Sequence, residues 1–361
     1  MEKCGIVSYG ISVPYRRLSV KETLDVWLTS SPDLIIKSMG VSERAVLGFD
    51  EDGTTLAIDA VKAAGVKNNA IYDSDCLLLG TATNPYDSRP SSTIVSEATR
   101  IRYSALSSDI QFGGKSGTTA MILATGMVGA GLSKSAIAIG VDTINRHTAP
   151  GDMAEPYAGA GAGAVVIGTE DVIATIDAYE SYATDLSDSF RVEGERYIKS
   201  GMLYGQARND IGVYDHTVKA GQALLQKLGL TAADYTYCVA QQTAPSVARK
   251  IAGKLGFSKE QVESCLFAET IGDTGSASVM IGLAKVLDHA KPGDRIFVVS
   301  YGYGAGADAI SLTVTDNILN VQSKGKKVDE IVNRKQLISY GMAAKYEYKY
   351  IRHSFPTNAY L

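Results

Sequence analysis

One pattern occurs twice in this chain, and it restricts the fold more than any other feature. GGKSGTTAMILATGMVGAGLSKSAIAIGVDTI in the first half parallels GDTGSASVMIGLAKVLDHAKPGDRIFVVSYGY in the second. AGAGAGAVVIGT then parallels GAGADAISLTVT. Each copy reads as a glycine turn, a helix, a strand, a turn of small residues and another strand. Helices alternating with buried strands point to an α/β fold with parallel strand pairs. The repetition predicts a duplicated unit, with halves near residues 1–170 and 171–361. The two repeated helices carry stripes of small residues: Gly117, Ala120, Ala124 and Gly126 in one, Gly275, Ala277, Gly282 and Ala284 in the other. Such stripes allow close approach, so the two helices are expected to pack on each other between two sheets.

Other elements fit the same layering. CGIVSYGISVP, DCLLLGTATN and YTYCVAQQ read as strands, and LAIDAVKAAG and VYDHTVKAGQALLQKLG as helices. VARKIAGKLG reads as a helix ended by glycine. From Ile318 onward the repetition is exhausted. The closing stretch AAKYEYKYIRHSFPTNAYL alternates charge with tyrosine at period two, which predicts an extended strand with one aromatic face.

Charge and cysteine content exclude several classes of function. The 361 residues carry a formal charge of −4, which gives no electrostatic case for nucleic acid or an anionic membrane. No apolar run approaches the roughly 18 residues of a membrane span, and MEKCGIVSYG lacks the basic and apolar regions of a secretory signal, so a cytoplasmic location is expected. Cys4, Cys76, Cys238 and Cys265 form no CxxC pair, so neither a metal site nor a dithiol is indicated. Cys4, Cys76 and Cys238 sit in or beside apolar strands and read as inert thiols.

The candidate chemistry concentrates at DIQFGGKSGTTAM, residues 109–121. A strand, a tight glycine turn and a helix start form a platform on which a side chain would meet the positive end of a helix. Here the turn is Gly113-Gly114-Lys115, which presents no nucleophile. Ser116 would need a base, and neither His147 nor any other histidine is tied to it by spacing. Lys115 would need a depressed pKa to act as an amine nucleophile and reads as salt-bridged or solvated. Asp273 could pair with Lys115 or Arg146. His216 and His289 read as helix-surface residues.

These motifs, in this order, resemble the thiolase superfamily, in its hydroxymethylglutaryl-CoA synthase and ketoacyl synthase III branch. The resemblance spans essentially the whole chain. It rests on LGTATNPYDSRPSSTIVSEA, QFGGKSGTTAM, TAPGDMAEPYAGAGAGAVVIG, QQTAPSVARKIAGKLGF and GDTGSAS. It implies a five-layer αβαβα fold. It also implies where the family's chemistry would lie. The family cysteine corresponds to Gly114, the general-base glutamate to Ala82, the histidine to Gln241 and the asparagine to Asp273. All four positions are changed, and the expectation is that condensing chemistry by this chain is lost.

A narrower resemblance is to the PhlA-type subunits of bacterial phloroglucinol acetyltransferases, carried by GIVSYG, TNPYDSR, FxGKSGT, DTINRxTAPGD, VSYGxGAG and KYExKY…AYL. It implies a degenerate partner subunit in a complex that moves acetyl groups to and from carbon of phenolic, phloroglucinol-type substrates. The implied partners are a thiolase-like subunit bearing the active cysteine and a small OB-fold (DUF35-type) bridging protein. No cofactor or metal is implied. Tyr86, Asp87 and Arg89, in the loop TNPYDSRPSS, are expected to make polar contacts near such an interface. Lys115, Ser116, Arg146 and His147 are expected to line the pocket. Two alternatives remain: a self-sufficient divergent acyl-CoA synthase of the hydroxymethylglutaryl-CoA synthase or ketoacyl synthase III type, and a non-catalytic module binding an acyl-CoA or a phenol.

Overall fold

The computed structural model of the chain describes residues 4–200 and 212–350. In chain order the strands are β1 Gly5–Ser12, β2 Arg16–Ser19, β3 Glu43–Val46, β4 Cys76–Gly80, β5 Leu106–Ile110, β6 Ala136–Asp142 and β7 Gly161–Gly168. They continue with β8 Ala174–Leu186, β9 Ser189–Phe190, β10 Lys199–Ser200, β11 Tyr237–Ala240, β12 Arg295–Gly302, β13 Gly304–Val314 and β14 Gln336–Leu337. Nine of them form one hydrogen-bonded array, in the order β11-β12-β13-β8-β1-β7-β6-β4-β5. Strands β4, β5 and β6 run parallel, as do β11 and β12, while β1, β7, β8 and β13 join their neighbours antiparallel. The two strand groups meet where β1 pairs with β8, at Gly5–Thr175 and Ile6–Ala174. The two expected sheets are thus linked through a short junction.

Side-chain alternation sorts the strands into layers. In β4, Leu77 and Leu79 point to one apolar cluster, with Leu56, Ala60 and Ala64 of the helix Gly53–Lys67. Cys76 and Leu78 point the other way, with Ala120, Met121 and Ala124 of the helix Ser116–Gly129. Period-two exposure of opposite faces produces this division. Each fully buried aliphatic side chain contributes roughly 1.5–3 kcal/mol relative to an exposed one. The helix Ser278–Leu287 packs against β7, β11 and the helix Ser116–Gly129, and the helix Val213–Leu228 covers β8, β12 and β13. The order is therefore helix, strand group, the two central helices, second strand group, helix.

The small-residue stripes behave as expected in part. A Cβ on Gly117 would collide with the Ser276 carbonyl, and Met280 Sδ would lie 2.9 Å from it, so this position requires glycine. Gly126 meets nothing within 4 Å and Gly282 faces Val239, so neither serves the contact between the central helices.

Two sequence expectations are corrected here. The tyrosine-rich closing stretch is not a strand where it is described. Residues Tyr340–Tyr346 form a helix, capped by Ser339, whose hydroxyl accepts from Met342 N at 3.4 Å. Ala343 joins Leu18 and Val46 in an apolar cluster, and the part of the stretch beyond Tyr350 lies outside the described residues. Glu347 and Lys349 are drawn inward by Arg44 and Glu155, which overrides the period-two pattern. His216 is buried rather than on a surface, with Nε2 2.8 Å from Thr184 Oγ1 and Nδ1 2.9 Å from Gly212 O. It shares a helix face with Ala220 and Leu224. His289 is exposed, its ring edge-on to Tyr237.

Candidate functional site

Three of the four positions singled out in sequence, Ala82, Gln241 and Asp273, gather where the two repeats face each other, around the buried carboxylate Asp142. This residue ends β6, and nothing in its local sequence announces its role. Its Oδ1 accepts from Thr81 Oγ1 at 3.0 Å, Ala82 N at 2.8 Å and Thr83 Oγ1 at 2.7 Å. Its Oδ2 accepts from Ser276 N at 2.7 Å and Ser276 Oγ at 2.6 Å. One carboxylate thus ties the loop after β4 to the glycine turn of the second repeat. Ala82 presents only a methyl group, and its backbone N–H is taken up by Asp142.

Ser116 opens the first central helix and is fully buried. Its hydroxyl donates to Ser276 Oγ at 2.7 Å, which donates onward to Asp142. That chain links two serines to a carboxylate with no imidazole in it, so it cannot remove a proton as a serine–histidine pair does. It holds the two helix starts together. His147 makes its hydrogen bond to Arg196 O at 2.9 Å, and burial holds its pKa below the ordinary histidine value. Neither His147 nor Arg146 contacts Ser116. Arg146 instead donates to Gly48 O at 3.0 Å and Tyr346 O at 3.3 Å and lies over the Tyr348 ring, clamping the C-terminal segment.

Asp273 pairs with neither Lys115 nor Arg146. Its Oδ1 accepts from Gly275 N at 2.8 Å, and burial, with Asp142 adding repulsion, pushes the carboxyl up to about 7. Gln241 donates from Nε2 to Gly275 O at 3.1 Å, while its buried Oε1 has no hydrogen-bond partner among the described residues. Lys115 is buried and forms an ion pair with Asp308 at 2.8 Å, while also bonding Thr119 Oγ1 and lying over the Phe112 ring. Asp308 further accepts from Ser181, Thr118 and Thr119. Lys115 therefore anchors the turn to β13 as an ion-paired ammonium. Asp308 was missed in sequence. A charged residue between Ala307 and Ala309, inside a buried strand, was its available signal.

The turn itself has no room for a side chain. Gly114 has φ +86°, and a Cβ there would stand 2.5 Å from Tyr301 O. Just outside lies the loop after β4. Asp109 Oδ1 and Oδ2 accept the N–H groups of Ser92 and Ser91, fastening the start of the helix Ser91–Thr99. Asn84 donates to the same carboxylate at 2.9 Å. Between these anchors Tyr86, Asp87 and Arg89 are exposed, with Arg89 over the Tyr86 ring. They line a cavity of about 570 Å³ together with Gln111 and Arg191. Cys76 and Cys265 are buried, their thiols pushed up to about 11 and about 12, and burial likewise raises the Cys238 thiol well above its ordinary value; none is poised to react. Among the described residues no cluster of three His, Cys, Asp or Glu could hold a metal ion, and no helix is long and apolar enough to cross a membrane.

Comparison with known proteins gives this frame a family. The hydroxymethylglutaryl-CoA synthase of Methanocaldococcus jannaschii is 38% identical over 347 residues, covering 96% of this chain and 99% of that protein. The chain belongs to the hydroxymethylglutaryl-CoA synthase family. The namesake enzyme of Methanosphaera stadtmanae is 37% identical, over 96% of this chain and 98% of that protein. Residues 225–314 match the model of the C-terminal part of 3-oxoacyl-[acyl-carrier-protein] synthase III. Among solved structures, MvaS in complex with 3-hydroxy-3-methylglutaryl coenzyme A superposes with a TM-score of 0.82, at 19% identity, covering 96% of this chain and 92% of that one. The 3-oxoacyl-[acyl-carrier-protein] synthase III of Aquifex aeolicus superposes at 0.77, with 23% identity, over 86% and 99%. The thiolase-like α/β fold expected from sequence is therefore the fold of this hydroxymethylglutaryl-CoA synthase relative.

Proposed function

We propose that this chain is a non-condensing member of its family. In this reading it serves as a subunit of a multi-component acyltransferase that moves acetyl groups to and from carbon of phloroglucinol-type phenols. One observation carries the first part. At the turn where the family resemblance puts the nucleophile stands Gly114, and the space its Cβ would take is held by the Tyr301 carbonyl. Acyl transfer through a thioester needs a thiolate at that helix start, and this turn offers neither the thiol nor room for it. Ser116 is committed to Ser276, and Asp273 and Gln241 to the Gly275 backbone. The narrower part rests on the PhlA-type motifs, which supply the proposed partners: a thiolase-like subunit with the active cysteine and a small OB-fold bridging protein. Tyr86, Asp87 and Arg89, exposed beside the site, are the surface proposed to meet a partner.

A second reading has its own support. Relatives that match over nearly the whole chain are named hydroxymethylglutaryl-CoA synthases, which favours a self-sufficient condensing acyltransferase. One experiment separates the two. Condensation of acetyl-CoA with acetoacetyl-CoA is assayed with the chain alone. Acetyl transfer to phloroglucinol is assayed with the chain, with a cysteine-bearing thiolase homologue, and with the two plus an OB-fold protein. Activity only in the full mixture supports the subunit reading; condensation by the isolated chain overturns it.

A further inference from the structure

The tip of the β12–β13 hairpin, Gly302-Tyr303-Gly304, lies directly over the turn Phe112–Lys115. Tyr303 N donates to Gly113 O at 2.9 Å. A Cβ on Gly302 would stand 2.7 Å from Gly113 O and from Lys115 Cγ, so the hairpin touches the turn backbone to backbone. A Cβ on Gly113 would collide with Cζ of the Tyr303 ring. The ring therefore packs over Gly113, one residue before the position where the family resemblance puts the nucleophile. Its hydroxyl is buried and, among the described residues, has no hydrogen-bond partner. Burial, with Asp142 and Asp273 adding repulsion, raises the phenol far above its ordinary value, so it stays neutral. An unpaired buried hydroxyl destabilises the fold. What the position uses is thus the ring's volume and not its polarity.

We propose that Tyr303 is a specificity-determining plug. Its ring occupies the chamber in which an acyl group carried at residue 114 would lie, so the chain excludes acyl thioesters independently of its missing thiol. The proposal rests on reading residues 112–118 as the acyl-carrying turn of the family. It closes the chamber from the second repeat, whereas the loss at Gly114 lies in the first.

Two pairs of variants test it. Gly114→Cys and the double variant Gly114→Cys/Tyr303→Gly are treated with iodoacetamide, and modification of residue 114 is followed by peptide mass spectrometry. The Tyr301 carbonyl faces residue 114 in both, so its effect cancels in the comparison. The thiol is expected to react at least tenfold faster in the double variant; equal rates overturn the plug. Because Gly114→Cys strains a turn at positive φ and can prevent folding, the second pair leaves residue 114 alone. Tyr303→Gly and Tyr303→Phe are titrated with acetyl-CoA and with CoA by calorimetry. Tyr303→Gly is expected to bind acetyl-CoA at least threefold more tightly than CoA, while Tyr303→Phe and the wild type bind acetyl-CoA no more tightly than CoA. No preference in Tyr303→Gly overturns the proposal. Rapid labelling of Gly114→Cys alone sinks the plug and leaves the non-condensing reading standing. Condensation by the isolated wild-type chain sinks that reading first.

Discussion

Replacing Asp273 by Asn changes one atom at the centre of the site and has a calculable consequence. Desolvation of this half-buried residue, with Asp142 adding repulsion, pushes the carboxyl up to about 7 from its ordinary 3.8. The folded chain thus holds this proton more tightly than the unfolded chain does. The contribution to stability is fully present below the unfolded value of 3.8 and is lost as the pH rises through about 7. A displacement of about three pH units at about 1.4 kcal/mol each sets an upper bound of about 4 kcal/mol on the loss. Asn cannot ionise, and its carbonyl still accepts from Gly275 N, the one side-chain hydrogen bond of Asp273 among the described residues. Asp273→Asn should therefore exceed the wild type in stability by about 2–4 kcal/mol at pH 8 and by little at pH 4. Urea unfolding of both proteins at each pH unit from 4 to 9 measures this. His147 also responds to pH through its lowered pKa, but it is present in both proteins and drops out of the difference. A stability gap that stays constant from pH 5 to pH 8 refutes the reasoning.

The remaining predictions concern the anchors of the site. Lys115→Met leaves Asp308 buried without its cation and should cost about 3–5 kcal/mol in thermal or urea unfolding, because an uncompensated buried charge is expensive; a loss under 1 kcal/mol counts against the anchor role. Tyr303→Phe removes the unpaired hydroxyl and keeps the ring, so stability should rise by about 1 kcal/mol or more; a fall in melting temperature means the hydroxyl is bonded. Arg44→Met breaks the ion network around Glu347, Lys349 and Glu155, and trypsin should then cut the segment after Leu337 much faster, with about 3–5 kcal/mol lost. Ser116→Ala should leave acetyl transfer by the assembled mixture within twofold of wild type, whereas a self-sufficient enzyme using Ser116 would lose it.

The parts legible in the sequence are those that a local pattern dictates. Glycine turns and helical spacing marked both repeats, because a turn, a cap and an apolar stripe each act within a few residues. Asp142 and Tyr303 were illegible for the opposite reason. Ser276 lies 134 residues from Asp142, and the Gly113 turn lies in the other repeat from Tyr303, so no window of sequence shows either contact. His216 was within reach, since its four-residue spacing to Ala220 and Leu224 puts all three on one helix face. The closing stretch misled because period two was read as an extended strand with one aromatic face. Ala343 of the helix Tyr340–Tyr346 packs against Leu18 and Val46, while Glu347 and Lys349, buried as an ion network, break the rule that charged residues face water.

The place of β1 has a consequence for how the chain is made. Of the nine strands in the array this one is made first, yet it sits inside the array, and its partners are β7 on one side and Thr175 and Ala174 of β8 on the other. Until residue 168 has been synthesised, Ile6, Val7, Tyr9 and Ile11 have no complete edge to join. Pairings this distant in sequence form late and slowly, and an apolar strand that waits for them is a site for association with other nascent chains. A chain arrested before residue 161 would carry its central strand unpaired.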